Sequence, residues 1–74
     1  MIKVGQIYKI DNDIGIIYNY DEKLPYIDVL FLEGLGVFSH EYFNKYSILI
    51  TEYPTWQEAV NSKEFKELKD DKDN

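Results

Sequence analysis

The stretch that decides the fold is YIDVLFLEGLGVFS, residues 26–39. From Tyr26 to Leu32 the side chains alternate, with Ile27, Val29 and Phe31 on one face and Tyr26, Asp28 and Leu30 on the other. That period of two is the signature of a half-buried strand. Glu33-Gly34 supplies a tight hairpin turn, and Leu35 to Ser39 returns as the next strand.

Toward the N-terminus, the segment after Val4-Gly5 alternates through Ile7, Tyr8, Lys9 and Ile10 and is stopped by Asp11-Asn12-Asp13. Ile14 to Tyr20 forms a second strand, with Ile14, Ile16, Tyr18 and Tyr20 on one face and Gly15, Ile17 and Asn19 on the other. Gly15 inside an apolar strand marks a bulge or a close backbone approach. Asp21-Glu22-Lys23 and Pro25 make the loop that leads into the deciding hairpin. Toward the C-terminus, Ser47 to Thr51 reads as a fifth strand, with Ile48 and Ile50 opposite Leu49. Between the fourth and fifth strands, His40 to Lys45 is short and polar, so a single 3₁₀ turn held by Phe43 is expected. Short strands joined by tight turns imply a mainly β chain curled into a small barrel.

Val4-Gly5-Gln6, Gly15 in an apolar strand, Tyr26 to Phe31 with Glu33-Gly34, and His40-Glu41-Tyr42-Phe43 before an apolar strand together carry a resemblance. Over residues 3–51 the chain resembles SH3-like small barrels of the KOW and Tudor type, particularly short uncharacterised barrel proteins of bacteriophages. The resemblance implies a five-stranded SH3-like barrel, assigned to residues 1–53, and the change from β-branched and aromatic residues to helix formers and charge makes residues 54–74 a C-terminal helical extension of the same domain. The resemblance also implies a virus-encoded accessory or host-modulating protein. The loop between the first two strands is only Asp11-Asn12-Asp13, without the long acidic insertion of SH3 domains that take proline-rich peptides, so that specificity is not carried over.

The tail opens on Pro54-Thr55-Trp56-Gln57-Glu58, where Thr55 is an N-cap and Glu58 completes a capping box. At about 100° per residue Trp56, Ala59 and Val60 form one apolar stripe, while Phe65 lies about 180° and Leu68 about 120° from Trp56. Two arrangements reconcile these positions. Either the helix breaks at Asn61-Ser62, with Ser62 capping a second short helix so that both stripes face the barrel, or one continuous helix offers Phe65 and Leu68 to a partner or to another copy of the chain.

Composition narrows the function. The 74 residues make one thin-cored domain, which at this size buries about 60% of its unfolded surface. There is no cysteine, hence no disulfide, thiol nucleophile or thiolate metal site. No stretch has the length of a signal-peptide core or of the roughly 20 apolar residues that span a bilayer, so a cytoplasmic protein is expected. All eight basic residues are Lys and the net charge is −6, which opposes bulk phosphate binding and makes nucleic acid a poor partner. The charge is shared: residues 1–53 hold four Lys against eight acids and residues 54–74 four against six, so neither is a dedicated acidic arm.

No constellation for catalysis emerges. His40, the single histidine, sits beside Ser39 and Glu41, and neighbours on one strand cannot converge as a triad. Asp11, Asp13 and Glu22 have calcium-loop spacing, but Gly15 and Ile16 occupy the positions that need a ligand and a glycine. No metal site, cofactor or enzymatic activity is expected. The seven tyrosines point instead to a contact surface, since each offers a large ring with one polar tip. Tyr18, Tyr20, Tyr26 and Asp28 are candidates for an aromatic and acidic patch that would take a cationic ligand or a basic protein surface, with Phe65 and Leu68 as a second candidate surface. The leading expectation is a non-enzymatic protein-interaction module, followed by a KOW-like nucleic-acid-binding barrel and a small structural protein that self-associates, as a monomer or weak homo-oligomer.

Overall fold

The structure, a computed structural model, describes residues 1–66. Its strands are β1 (Gln6–Ile10), β2 (Asp13–Asn19), β3 (Tyr26–Phe31), β4 (Gly34–Ser39) and β5 (Ser47–Glu52). Helix α1 (His40–Tyr46) joins β4 to β5, α2 (Trp56–Val60) follows β5, and a third helical segment, α3, begins at residue 63. All strands pair antiparallel in one sheet of order β4-β3-β2-β1-β5. The protein is therefore mainly β, as its period-2 alternation predicts. The sheet is not closed into a barrel: β4 and β5 are its two edges, and the chain crosses between them through α1.

Local chemistry accounts for the turns. Phe31 opposes Gly34, so the hairpin turn is Leu32-Glu33, one residue earlier than expected, and Gly34 starts β4 at φ +138°, where a side chain would be strained. Asp11 takes φ 55° in the β1–β2 turn, a conformation that Asp tolerates better than most residues. Gly5, at φ +97°, sits so close to β5 that a Cβ would lie 2.3 Å from the Tyr53 carbonyl oxygen. Its N–H donates to the Ile17 carbonyl and its carbonyl accepts from the Tyr53 N–H, which ties the N-terminal segment to β2 and to the end of β5.

The segment expected as a 3₁₀ turn is a seven-residue α-helix. Ser39 accepts from the Tyr42 N–H at its start, Glu41 and Lys45 sit at the ends that suit their charges, and Phe43 is 1% exposed. A helix this short owes its stability to packing more than to propensity. Here Phe43 provides the packing.

Each face of the sheet has its own core. On the α1 face, Tyr8, Ile10, Ile17, Ile27 and Val29 surround Phe43. On the opposite, tail face, Ile7 and Ile16 pack with Ala59 and Phe65, flanked by Trp56, Val60, Leu30 and Tyr53. The tail breaks where the sequence offered a break. Thr55 accepts from the Glu58 N–H, α2 stops at Asn61, and the Ser62 hydroxyl accepts from the Phe65 N–H at 3.4 Å while donating to the Ala59 carbonyl. That second cap turns Phe65 back onto the face that Ala59 occupies. No helix among the described residues is long and apolar enough to cross a membrane.

Candidate functional site

The expected tyrosine patch is divided: Tyr18, Tyr26 and Asp28 share the tail face of the sheet, and Tyr20 leaves it. In the β2–β3 ladder Ile17 opposes Val29 but Asn19 opposes Asp28, a bulge that inserts one residue at Tyr18 and reverses the alternation beyond it. Tyr18 stays on the tail face, its ring edge-on to Trp56 at 4.9 Å. Tyr20 is sent to the α1 face, where it packs against that core with its ring 5.6 Å from His40. Tyr26 is 55% exposed next to β4, and Asp28 accepts from the Asn19 side-chain amide at 3.3 Å. Phe65 is 5% exposed inside the tail-face core and presents no surface to a partner while the tail is docked. Leu68 lies outside the described residues.

A different aromatic array is continuous. The Phe31 ring lies over two glycines: a Cβ on Gly15 or on Gly36 would come within 2.9 Å of it. Gly15 is thus a close approach, and both positions exclude any larger residue. Phe38 meets Phe31 edge-on at 5.9 Å, Tyr42 stacks on Phe38 at 5.7 Å with 19° between planes, and Tyr46 follows Tyr42 at 4.6 Å. Phe38 is the last residue but one of β4, and Tyr42 and Tyr46 are one helical turn apart on α1, so strand and helix together project one row of rings. The row becomes more accessible along its length, with Tyr42 37% and Tyr46 44% exposed.

Carboxylates flank the exposed end. The Tyr42 hydroxyl donates to Asp11 at 2.6 Å, a short charge-assisted bond, and the Asp11 N–H donates to the Tyr46 carbonyl. The β1–β2 turn is thereby latched to α1. The Asp11 bond, followed by desolvation, raises the Tyr42 hydroxyl above its ordinary pKa, so it stays a neutral donor. Ser39, Glu41, Tyr42, Lys45 and Tyr46 line a notch of about 280 Å³, with the Lys45 ammonium 5.4 Å from the Tyr46 ring centre. Two faces of tyrosine beside two carboxylates form a surface that attracts cationic and planar groups.

A larger open groove of about 480 Å³ has Tyr8, Tyr20, Glu22, His40, Phe43 and Asn44 in its lining. The His40 Nε2 atom is buried there without a hydrogen-bond partner among the described residues. Behind the groove, Gln6 is 4% exposed and organises the N-terminus: it accepts from the Lys3 N–H and the Tyr8 hydroxyl and donates to the Met1 carbonyl. Burial, with a smaller contribution from Glu52, raises the Tyr8 pKa. Among the described residues no cluster of His, Asp and Glu has the geometry to hold a metal ion.

The row Phe38-Tyr42-Tyr46 escapes a reading that treats residues 40–45 as a 3₁₀ turn. Its signal is the spacing of four between successive rings, which becomes visible once Ser39 is taken as an N-cap. No family model, curated protein or solved structure matches the chain.

Proposed function

We propose that this protein is a non-enzymatic interaction module on an SH3-like scaffold, and that it engages a basic segment of a protein partner through the ring-lined notch of α1. The SH3-like reading is supported by the place of β1 between β2 and β5 and by the helix that precedes the last strand. A phage-type accessory or host-modulating role is the biological setting that the sequence resemblance implies. The observation that carries the binding reading is the stacked row Phe38-Tyr42-Tyr46, half-exposed at its end and flanked by Asp11 and Glu41. Lys or Arg over such a ring contributes about 0.5–1 kcal/mol at an exposed site, and a carboxylate beside it adds selectivity for cations.

Chemical-shift titration tests this reading with a short arginine-rich peptide, its glutamate-rich counterpart and a short DNA duplex. The basic peptide is expected to shift resonances of α1 and of the Asp11 turn, and Tyr46→Ala to remove the response. A response to DNA that fades with added salt would favour the nucleic-acid-binding alternative instead. Shifts by the basic peptide that survive Tyr46→Ala would move the site away from the notch.

A further inference from the structure

The two edges of the sheet are defended unequally. At the β5 edge the ladder with β1 slips between Ile7 and Tyr8, leaving Ile50 as an extra residue, and the strand ends on Glu52. Bulges and charges are how natural edges discourage further pairing. At the other edge β4 reads Gly-Leu-Gly-Val-Phe-Ser, with no charged residue and no proline. It pairs with β3 at six consecutive positions without a register shift, and its outer side has no strand beside it among the described residues. Leu35 and Val37 project from it on the tail face and are 59% and 60% exposed. Helix α2 packs on β1 and β2 and leaves these two side chains uncovered.

We propose that β4 is a self-association edge, where two copies of this chain pair antiparallel about a two-fold axis at Gly36. The occupant follows from the strand's fit to itself. Opposed residues of an antiparallel ladder project to the same face, so tail-face residues must meet tail-face residues. With Gly36 opposite Gly36 of the second copy, Leu35 meets Val37 in both directions and Glu33 falls opposite Ser39. Sliding the pairing so that Val37 opposes itself would set Leu35 against Ser39, and sliding it so that Leu35 opposes itself would set Val37 against Glu33, so the Gly36 register is the one that sets both apolar side chains against each other. The contact is isologous and closes as a dimer, so it does not propagate into fibres. An uncharged edge favours neither a basic nor an acidic foreign strand, while two bodies of charge −6 repel each other. Salt therefore strengthens this association, the opposite of its effect on phosphate binding.

The chain contains no cysteine, so introduced thiols report on the contact alone. Leu35→Cys and Val37→Cys chains, one carrying a tag, are oxidised separately and mixed, and the wild type and Val37→Lys are compared by sedimentation at low and high salt. Directly opposed residues lie within disulfide reach. The expected results are a covalent dimer in the mixture but in neither variant alone, a wild-type mass that rises toward the dimer with concentration and salt, and a monomeric Val37→Lys chain with an unchanged circular dichroism spectrum. A wild type that remains monomeric together with no cross-link in the mixture overturns the proposal. So does association that Val37→Lys leaves intact. Self-cross-linking by Val37→Cys alone would overturn the Gly36-centred register.

Discussion

The two faces of the sheet are covered by different kinds of chain. On the α1 face, Phe43 arrives on a helix confined at both ends, since α1 is held between β4 and β5 and latched to the β1–β2 turn through Tyr42 and Asp11. On the tail face, Ala59 and Phe65 arrive on a segment that is held by the sheet at one end, at Tyr53, among the described residues. Losing a contact on the first face has to be absorbed by the whole sheet. On the second it can be absorbed by local release, because segments with few anchors open below the global unfolding free energy.

The sharpest way to break this contrast is Phe43→Ala. Phe43 is 1% exposed and meets the Tyr8 ring edge-on at 4.7 Å. A cavity of that size costs about 3–5 kcal/mol, a large share of what so small a domain possesses. Urea denaturation is expected to show one transition moved to much lower denaturant, with both faces lost together. Phe65→Ala removes a side chain of the same size, yet the expected loss is smaller, about 1–3 kcal/mol, because the tail can undock. Amide exchange is then expected to accelerate in α2 while β2 and β3 stay protected. Equal acceleration of both regions would erase the distinction between the faces.

This contrast also separates what the sequence discloses from what it withholds. All five strands, the Thr55 cap and the Asn61-Ser62 break are written in local chemistry: alternation, turn residues and side-chain oxygens at fixed offsets. Three features are not local. The bulge at Tyr18 depends on how β3 pairs with β2, and it alone moves Tyr20 away from Tyr18. The α-helical state of residues 40–46 depends on the pocket that receives Phe43. The open sheet depends on which strands pair across the chain, and β4 pairs with β3 while β5 pairs with β1. The candidate site was therefore legible as a type of surface, tyrosine beside carboxylate, but its members were not. Tyr42 and Tyr46 take the place of Tyr18 and Tyr20.

Below Phe65→Ala in expected size comes the tail's own start. In Thr55→Ala the Glu58 N–H loses its acceptor, a change worth about 1 kcal/mol. Trp56 is the chain's single tryptophan, lies on α2 and touches Tyr18, so its emission reports on tail docking. An early loss of the native Trp56 signal in urea, ahead of the far-ultraviolet β signal, is the expected outcome. Coincident transitions identical to wild type would show that the cap contributes nothing to docking.

The smallest expected effect is a pH dependence specific to the tail face. The Tyr53 hydroxyl donates to Glu64 and so ties the end of β5 to the second tail helix. This bond is the main cause that lowers the Glu64 pKa and that raises the Tyr53 pKa, with Ser62, the backbone and Lys63 also favouring the Glu64 carboxylate. A lowered folded-state pKa means that the Glu64 contribution is present above the ordinary carboxylate range and disappears as pH falls through the folded value. A raised one means that the Tyr53 contribution is present below the ordinary tyrosine value and disappears as pH rises through the folded value. Tail docking is thus firmest between those limits. Tyr42 and Asp11 add a similar alkaline limb on the other face, but Trp56 does not sit there. Trp56 emission is expected to change at both ends of the range in the wild type, and Tyr53→Phe to remove the alkaline limb and flatten the acid one, leaving the part that Ser62, Lys63 and the backbone sustain. Superimposable profiles for the two chains would mean that the tail is held by Ala59 and Phe65 alone, and that both faces of the sheet rely on apolar packing without a titrating latch.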